Sequence, residues 1–294
     1  MSTSKIVAVT GVTGKQGGAV ARKLLELGHK VRGITRNTAS PSAVKMAEKG
    51  VEMVNADMGD LESMKTAFTG VDSVFVVTQM SMFNHKTEVK QGKIAADAAK
   101  STGVNHFVFT SVGNSENAPN VPHFASKWEI ERYIRDQLQL PYTIIRPSFF
   151  MENYQRHGQM APANGTIKGM IPGNVKLQMI AVEDIGKVAA TAIDHRDKYL
   201  NQVIELSGDE LTGNEMADVL SKVSGEPYTY SHWWLFRYVL RHFVRGMGAM
   251  ADFFVKVGYK ADIPKLRQEF PELQTWETWL NKNGFAKDEP SSSS

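Results

Sequence analysis

The chain opens on a short apolar run, Ile6-Val7-Ala8-Val9-Thr10, followed by the glycine-rich stretch Gly11-Val12-Thr13-Gly14-Lys15-Gln16-Gly17-Gly18. Apolar residues then recur at helical spacing, at Val20, Leu24 and Leu27, and Gly28 closes that pattern. The order predicts a buried parallel strand, a tight turn and a helix. The alternation continues with strands over 30–36, 51–54, 71–78, 106–111 and 142–147. Between them helices are predicted over 41–49, 61–68, 88–100 and 122–138, and a loop over Ala56-Asp57-Met58-Gly59-Asp60.

Strands and helices in strict alternation, joined by right-handed crossovers, define an α/β protein with a doubly wound parallel sheet of the Rossmann type. Beyond Pro147 the alternation degrades. Glycines and prolines dominate 158–173, a helix follows over 183–193 and a strand over 202–206, and Leu211-Thr212-Gly213-Asn214-Glu215 opens a further helix. Residues 228–259 are rich in aromatic residues and methionine, with Arg237, Arg241 and Arg245 four apart. They read as an amphipathic helix closing over the sheet, or as a partner surface or a lid over a ligand. The expected organisation is a nucleotide-binding domain over 1–153, its sheet completed by segments within 176–206. A smaller C-terminal α+β region for substrate or partner spans 154–286, and a polar, Ser-rich, disordered tail spans 287–294.

Composition narrows the classes. The chain has 294 residues, 42% of them hydrophobic, and a formal net charge of +3, too small to argue for nucleic acid. With no cysteine, disulfides, thiolate metal sites and sensing by the protein's own thiols are excluded. Met1-Ser2-Thr3-Ser4-Lys5 leads straight into the first strand, so no signal peptide is expected, and no apolar run reaches the length of a membrane span. A cytoplasmic location fits, with the nucleus as a second.

The glycine stretch is where chemistry enters. Glycines at this spacing let a backbone approach a phosphate closely, and the helix behind them offers N–H groups and a positive dipole end. A dinucleotide pyrophosphate would sit there. The spacing is G-x-x-G-x-x-G rather than G-x-G-x-x-G, so the surrounding βαβ unit carries the reading against that of a plain structural turn. The second strand ends Ile34-Thr35-Arg36-Asn37 with no carboxylate to hold a ribose 2′-hydroxyl. Arg36 suits a 2′-phosphate and Lys15 adds charge nearby, which favours NADP(H) over NAD(H); the plainer reading makes Arg36 a solvated strand-end residue.

Stretches spread over residues 4–285 resemble the NmrA-like family of the atypical short-chain dehydrogenase/reductase superfamily. They include the glycine stretch through Val20, Glu88-Val89-Lys90-Gln91-Gly92-Lys93, Phe107-Val108-Phe109-Thr110-Ser111 and His123-Phe124-Ala125-Ser126-Lys127. Arg146-Pro147-Ser148-Phe149-Phe150-Met151-Glu152-Asn153, Glu183-Asp184-Ile185-Gly186 and Gly208-Asp209-Glu210-Leu211-Thr212 complete the set. The resemblance implies an NADP(H)-binding Rossmann domain with a smaller C-terminal part forming a cleft. It implies cofactor contacts at Gly11, Val12, Thr13, Gly14, Lys15, Gln16 and Gly17, at Arg36 and Asn37, and at Asp57 and Met58 beside the adenine. Thr78, Gln79 and Met80 would line the end of the fourth strand, and Lys90, Lys127 and Phe150 to Asn153 would approach the ribose and nicotinamide.

Short-chain dehydrogenases use a Tyr and a Lys four residues apart, and no tyrosine here has a lysine four residues later. Lys127 takes the lysine place and His123 the tyrosine place, on one helix face. Two readings stay open. Lys127 serves as a ribose and nicotinamide ligand in a protein that binds cofactor without turning it over, as in the NmrA-like redox sensors, which respond by changing partners or oligomeric state. Alternatively His123 donates the proton in an oxidoreductase acting on a quinone, a carbonyl or another small acceptor. His123 just after Pro122 also fits a plain helix-start polar residue, whereas Lys127 stands one turn before Ile130 and Ile134 on a core-facing stripe, where a lysine is usually paired or functional. Ser111, at the end of its strand, matches the superfamily's catalytic Ser/Thr position loosely or caps a turn. No metal-ligand spacing and no G-x-S-x-G motif is present. The oligomeric state, a homodimer included, is left open.

Overall fold

The computed structural model describes residues 4–79, 85–156, 158, 160–232 and 245–287, without the side chains of 245–247. Met80, Arg237, Arg241 and residues 288–294 therefore lie outside the described residues, and so does the Arg245 side chain. The chain divides into two compact units, Met1–Pro147 with Val182–Glu205, and Ser148–Ala181 with Leu206–Ser294. This division places 148–153 in the second unit and 182–205 in the first.

The first unit bears out the expected doubly wound sheet. Its strands are β1 (Ile6–Thr10), β2 (Lys30–Thr35), β3 (Glu52–Asn55), β4 (Ser73–Val76), β5 (His106–Thr110), β6 (Tyr142–Pro147) and β10 (Gln202–Leu206), in the order β10-β6-β5-β4-β1-β2-β3. The pairs β1–β2, β2–β3, β1–β4, β4–β5 and β5–β6 are all parallel. The order reverses between β1 and β4, so their carboxyl ends flank the crevice where open parallel sheets bind ligands. There the Thr10 hydroxyl donates to the Val77 carbonyl at 3.0 Å and accepts from the Val77 N–H at 2.8 Å, tying the two strand ends together.

Helices α1 (Lys15–Glu26) and α6 (Val182–Asp194) pack against each other. Helices α3 (Leu61–Phe68), α4 (His85–Ser101) and α5 (Pro122–Arg132) pack in series. Met64, Phe68, Ala95, Ala99, Ile130 and Ile134 of this row and its extension meet Val74, Phe107, Phe109 and Ile144 of the sheet in one buried cluster. β4 and β5 are buried along their whole length, which is why they read as continuous apolar runs rather than alternating ones. The helix expected over 122–138 ends as α-helix at Arg132, and Tyr133–Gln137 is one wider π turn. Its bond from Leu138 N–H to the Tyr133 carbonyl, 2.9 Å, lets the chain leave the helix before Pro141 while Ile134 stays fully buried.

His106 enters the sheet fully buried. Thr143 Oγ1 spends its one proton on the Tyr199 carbonyl at 2.7 Å, so at its 2.8 Å contact with His106 it accepts, and Nε2 carries the imidazole proton. Nδ1 is buried with no hydrogen-bond partner among the described residues, and burial, with Arg196 and Lys5 adding to it, lowers the His106 pKa to about 4. The unfolded chain takes up this proton below about 6.5 and the folded chain does not. Stability should therefore hold above pH 6.5 and fall with acidification toward pH 4, by about 1.4 kcal/mol per pH unit from this group. Denaturant midpoints across this range for the protein and His106→Gln check it; an equal slope in both sinks the assignment.

The second unit holds a three-stranded sheet, β11 (Asp209–Thr212), β9 (Lys176–Ile180) and β7 (Phe149–Phe150), and a two-stranded one, β12 (Thr229–His232) with β8 (Thr166–Gly169). Thr212 caps α8 (Gly213–Ser224) through a reciprocal box with Glu215, as the helix-opening sequence there predicts. The amphipathic helix expected over 228–259 is corrected: Tyr230 and its neighbours pair with 166–169 in a parallel bridge, and the described helical part, α9, is Arg245–Lys256. The pairing of Thr229 with Thr166 through His232 with Gly169 sets the strand. In α11 (Trp276–Lys282) the rings of Trp276 and Trp279 stack at 5.1 Å, with Tyr154 edge-on to Trp276 at 5.5 Å. The Lys287 N–H bonds the Val223 carbonyl at 3.2 Å, so the chain is held through the first residue of the expected tail.

Candidate functional site

The turn after β1 is built as the glycine spacing demands. Gly11 turns at φ 57°, and the Gly14 N–H returns to its carbonyl at 2.9 Å. Gly17 lies where a Cβ would come 2.3 Å from the Gly11 carbonyl oxygen and 2.6 Å from that of Thr10, so only glycine lets α1 settle onto the end of β1. Gly14 caps α1 with no side-chain hydrogen bond, and the first turn holds no acidic residue. That helix start therefore presents backbone N–H groups and a positive dipole end, with no carboxylate of its own first turn set against a ligand's charge. These features fit a pyrophosphate. Val12 points its side chain into the core, Thr13 and Lys15 are exposed, and Gln16 Oε1 accepts from Thr110 Oγ1 at 2.8 Å.

At the end of β2, Arg36 and Asn37 are exposed. The Arg36 carbonyl accepts from Asn55 Nδ2 at 3.3 Å, while its guanidinium has no carboxylate partner among the described residues. Asn37 Oδ1 accepts from the Ala39 N–H at 3.0 Å and so shapes the turn into α2 (Pro41–Ala47). Asp57, exposed after β3, accepts from the Gly59 N–H at 2.8 Å, and Met58 packs half-buried on the apolar cluster.

Across the crevice, Lys127 is 8% exposed. Its ammonium donates to Thr78 Oγ1 at 2.7 Å and the Thr110 carbonyl at 3.3 Å, and lies 3.2 Å from Glu88 Oε1. Burial lowers the Lys127 pKa, against the pull of the Glu88 carboxylate. His123, one turn earlier on the same helix, is half-buried edge-on to Phe124 at 4.8 Å, with no hydrogen bond to its ring nitrogens among the described residues. Burial lowers its pKa too, with Glu88 opposing and Lys127 adding, which favours the neutral ring. The Ser111 hydroxyl donates to Glu131, buried one turn after Lys127 on α5. The Gln79 N–H meets Gln91 Oε1 at 3.4 Å, and Lys90 is exposed on α4. Phe150 and Asn153 belong to the second unit, half-buried, the Asn153 carbonyl accepting from the Met160 N–H at 3.0 Å.

The structure thus brings together Gln16, Thr78, Ser111 and Lys127 through Thr110, Glu88 and Glu131. Glu88 and Glu131, each 0% exposed, are not legible as site residues in the chain, and neither is Arg146, which binds Glu131, Glu116 and Glu205. For Glu88 a signal exists, since it shares a face with Gly92, Ala95 and Ala99 on a helix whose small residues invite close packing. Among the described residues no three His, Asp or Glu are placed to hold a metal, and no helix is long and apolar enough to cross a membrane.

A doubly wound sheet with a glycine turn and an uncapped helix at its switch point defines a dinucleotide-fold α/β protein. The chain belongs to the NmrA-like family, whose model matches residues 3–280. It is 31% identical over 230 residues, 76% of each chain, to the NAD(P)H azoreductase of Xenophilus azovorans. The NADPH-dependent quinone oxidoreductase QOR2 of Escherichia coli, solved with NADPH, superposes with a TM-score of 0.80 at 25% identity, over 94% of this chain and 99% of that one. NmrA, a negative transcriptional regulator solved with NADP, shares the fold, with a TM-score of 0.77 at 20% identity over 95% of both chains.

Proposed function

We propose that this protein binds NADP(H) and acts as a redox sensor, its output carried by cofactor-dependent conformation and partner binding rather than by tyrosine-dependent dehydrogenase chemistry. The observation that carries the reading is the commitment of the proton-donating groups. Lys127 spends its ammonium on Thr78, Glu88 and the Thr110 carbonyl, Ser111 spends its hydroxyl on Glu131, and burial disfavours the protonated form of His123. The start of α1 would hold the pyrophosphate, Arg36 and Asn37 the 2′-phosphate with Lys15 adding charge, and Asp57 and Met58 the adenine edge. NADPH supplies a hydride when bound. A ligand that orders the loops after β2 and β4 also shifts, by linkage, the affinity for any partner preferring one form.

A second reading is favoured by the azoreductase relative and by QOR2. Hydride transfer to a quinone or azo acceptor, with the proton drawn from water, needs no positioned tyrosine. Titration with NADPH, NADP⁺ and NADH, then mixing of the NADPH complex with quinones and azo dyes while following nicotinamide absorbance, separates the two. Tight binding with stable absorbance supports the sensor; rapid loss of absorbance makes the protein an enzyme.

The preference for NADP(H) rests on Arg36. Arg36→Asp should weaken NADPH binding by about 2 kcal/mol, roughly thirtyfold, and leave NADH within about threefold, because a charged hydrogen bond to the 2′-phosphate is lost. Calorimetric titration reads both, and equal losses would remove Arg36 from that role.

A further inference from the structure

Glu88 is a carboxylate with 0% exposure on a helix start that otherwise faces water. Its burial follows from Gly92, one turn on, where a Cβ would lie 2.6–2.8 Å from the Ile130 side chain. Glycine there lets α4 and α5 approach closely, and the same contact carries Glu88 onto Ser126 and Lys127. Glu88 Oε2 accepts from Ser126 Oγ at 2.6 Å, and Oε1 accepts from Thr78 Oγ1 at 2.9 Å while lying 3.2 Å from Lys127 Nζ. Lys127 in turn donates to Thr78 at 2.7 Å, so three side chains close a ring just beyond β4. A buried charge is tolerated only when paired and hydrogen-bonded, and each charge here meets that need through the other. The longest of the ammonium's contacts is the one to the Thr110 carbonyl, 3.3 Å, outside the ring.

Resting on the NADP(H) reading, we propose that Glu88 is the positioning residue of this site: it fixes Lys127 and Thr78 so that the lysine's loosest donor is presented to a hydroxyl of the nicotinamide-side ribose. Two donors stay on the ring and hold the ammonium still, and the third exchanges a carbonyl for a ligand oxygen. A carboxylate that merely glued two helices would leave every part of a dinucleotide equally affected by its loss. A positioning residue affects only the part that reaches the lysine.

The test compares NADPH with 2′,5′-ADP, which carries the 2′-phosphate but no nicotinamide ribose. Glu88→Gln should weaken NADPH at least tenfold, leave 2′,5′-ADP within threefold and lower the rise in nicotinamide fluorescence on binding. Lys127→Met should behave alike, and the double variant should bind NADPH no more weakly than Lys127→Met, since Glu88 acts through the lysine. Equal losses on both ligands, an unchanged NADPH affinity, or a loss adding to that of Lys127→Met overturns the proposal while the NADP(H) reading stands. Failure of the unaltered protein to bind NADPH overturns that reading and this inference with it. Should Glu88→Gln not fold, Thr78→Val opens the same ring with an isosteric side chain and is expected to give the same split between the two ligands.

Discussion

Arg146→Leu should cost this protein about 3–5 kcal/mol of stability, the range for leaving a buried charge without its partner. The guanidinium is the only cation among the described residues that is hydrogen-bonded to Glu131, which is itself fully buried. Its Nε donates to both Glu131 oxygens at 3.0 and 3.1 Å and Nη2 to Oε2 at 2.6 Å, while Nη1 reaches Glu205 at 2.9 Å and Glu116 at 2.8 Å. Without it, Glu131 keeps, among the described residues, the hydroxyls of Ser111 and Ser115, and two further carboxylates face it across the vacated space. Burial already raises the Glu205 pKa with Arg146 present, the Arg146 charge and hydrogen bond opposing the rise. Arg146→Lys should recover only part of the loss, because an ammonium is a point charge and cannot satisfy a planar fork across three acceptors. Glu131→Gln in the Arg146→Leu background should return at least about 1 kcal/mol, as coupled partners do. Urea denaturation at pH 7 measures all four proteins, and a loss under about 1 kcal/mol for Arg146→Leu would sink the account. The function should follow, since Glu131 also holds Ser111 at the end of β5 and stands one turn from Lys127.

The parts of this molecule legible in its sequence are those where local pattern and tertiary role agree. The runs at 6–10, 61–68, 142–147 and 202–206 occupy the expected boundaries because buried strands and amphipathic helices carry their period within themselves. Lys127 stands out because it breaks an apolar stripe. Its partner Glu88 is marked only indirectly, by the small residues Gly92, Ala95 and Ala99 on its face, because a glutamate near a helix start is ordinarily solvated and the packing of α4 on α5 is what buries it. Arg146 and Glu131 are invisible for the same reason: the fork depends on which strand lies beside which helix. Ser111 shows the limit most sharply. Strand-end serine chemistry offers catalysis or turn capping, and neither foretells the hydrogen bond its hydroxyl gives to the buried Glu131. The π turn at 133–137 and the strand at 229–232 are set by what they pack or pair with, which local propensity does not record.

Gly17→Ala should abolish useful NADP(H) binding, by a hundredfold or more, roughly 3 kcal/mol, while Gly14→Ala stays within about tenfold. The two glycines sit three residues apart in one turn, and their surroundings decide the difference. A methyl at Gly17 would fall 2.3 Å from the Gly11 oxygen, 2.6 Å from the Gly11 carbonyl carbon and 2.6 Å from the Thr10 oxygen. All three are backbone atoms, so no side chain can turn aside, and the clash is relieved only by moving α1 away from the end of β1. That movement carries the helix start, and with it every N–H group aimed at a pyrophosphate, out of register. It also strains the Gln16–Thr110 hydrogen bond that links the turn to β5. A methyl at Gly14 meets the Gly11 oxygen alone at 3.2 Å, and Gly14 holds an extended conformation, φ −92° and ψ 176°, that alanine adopts freely. Alanine there tightens one contact by a few tenths of an ångström and leaves the helix in place. Dissociation constants for NADPH and 2′,5′-ADP, measured beside thermal midpoints for both variants, read the contrast. Because the pyrophosphate lies between the two halves of the dinucleotide, Gly17→Ala should weaken both ligands, unlike Glu88→Gln, which spares the shorter one. Equal behaviour of the two glycine variants would mean that the phosphates are not held at this turn, and the site would have to be sought elsewhere on the sheet.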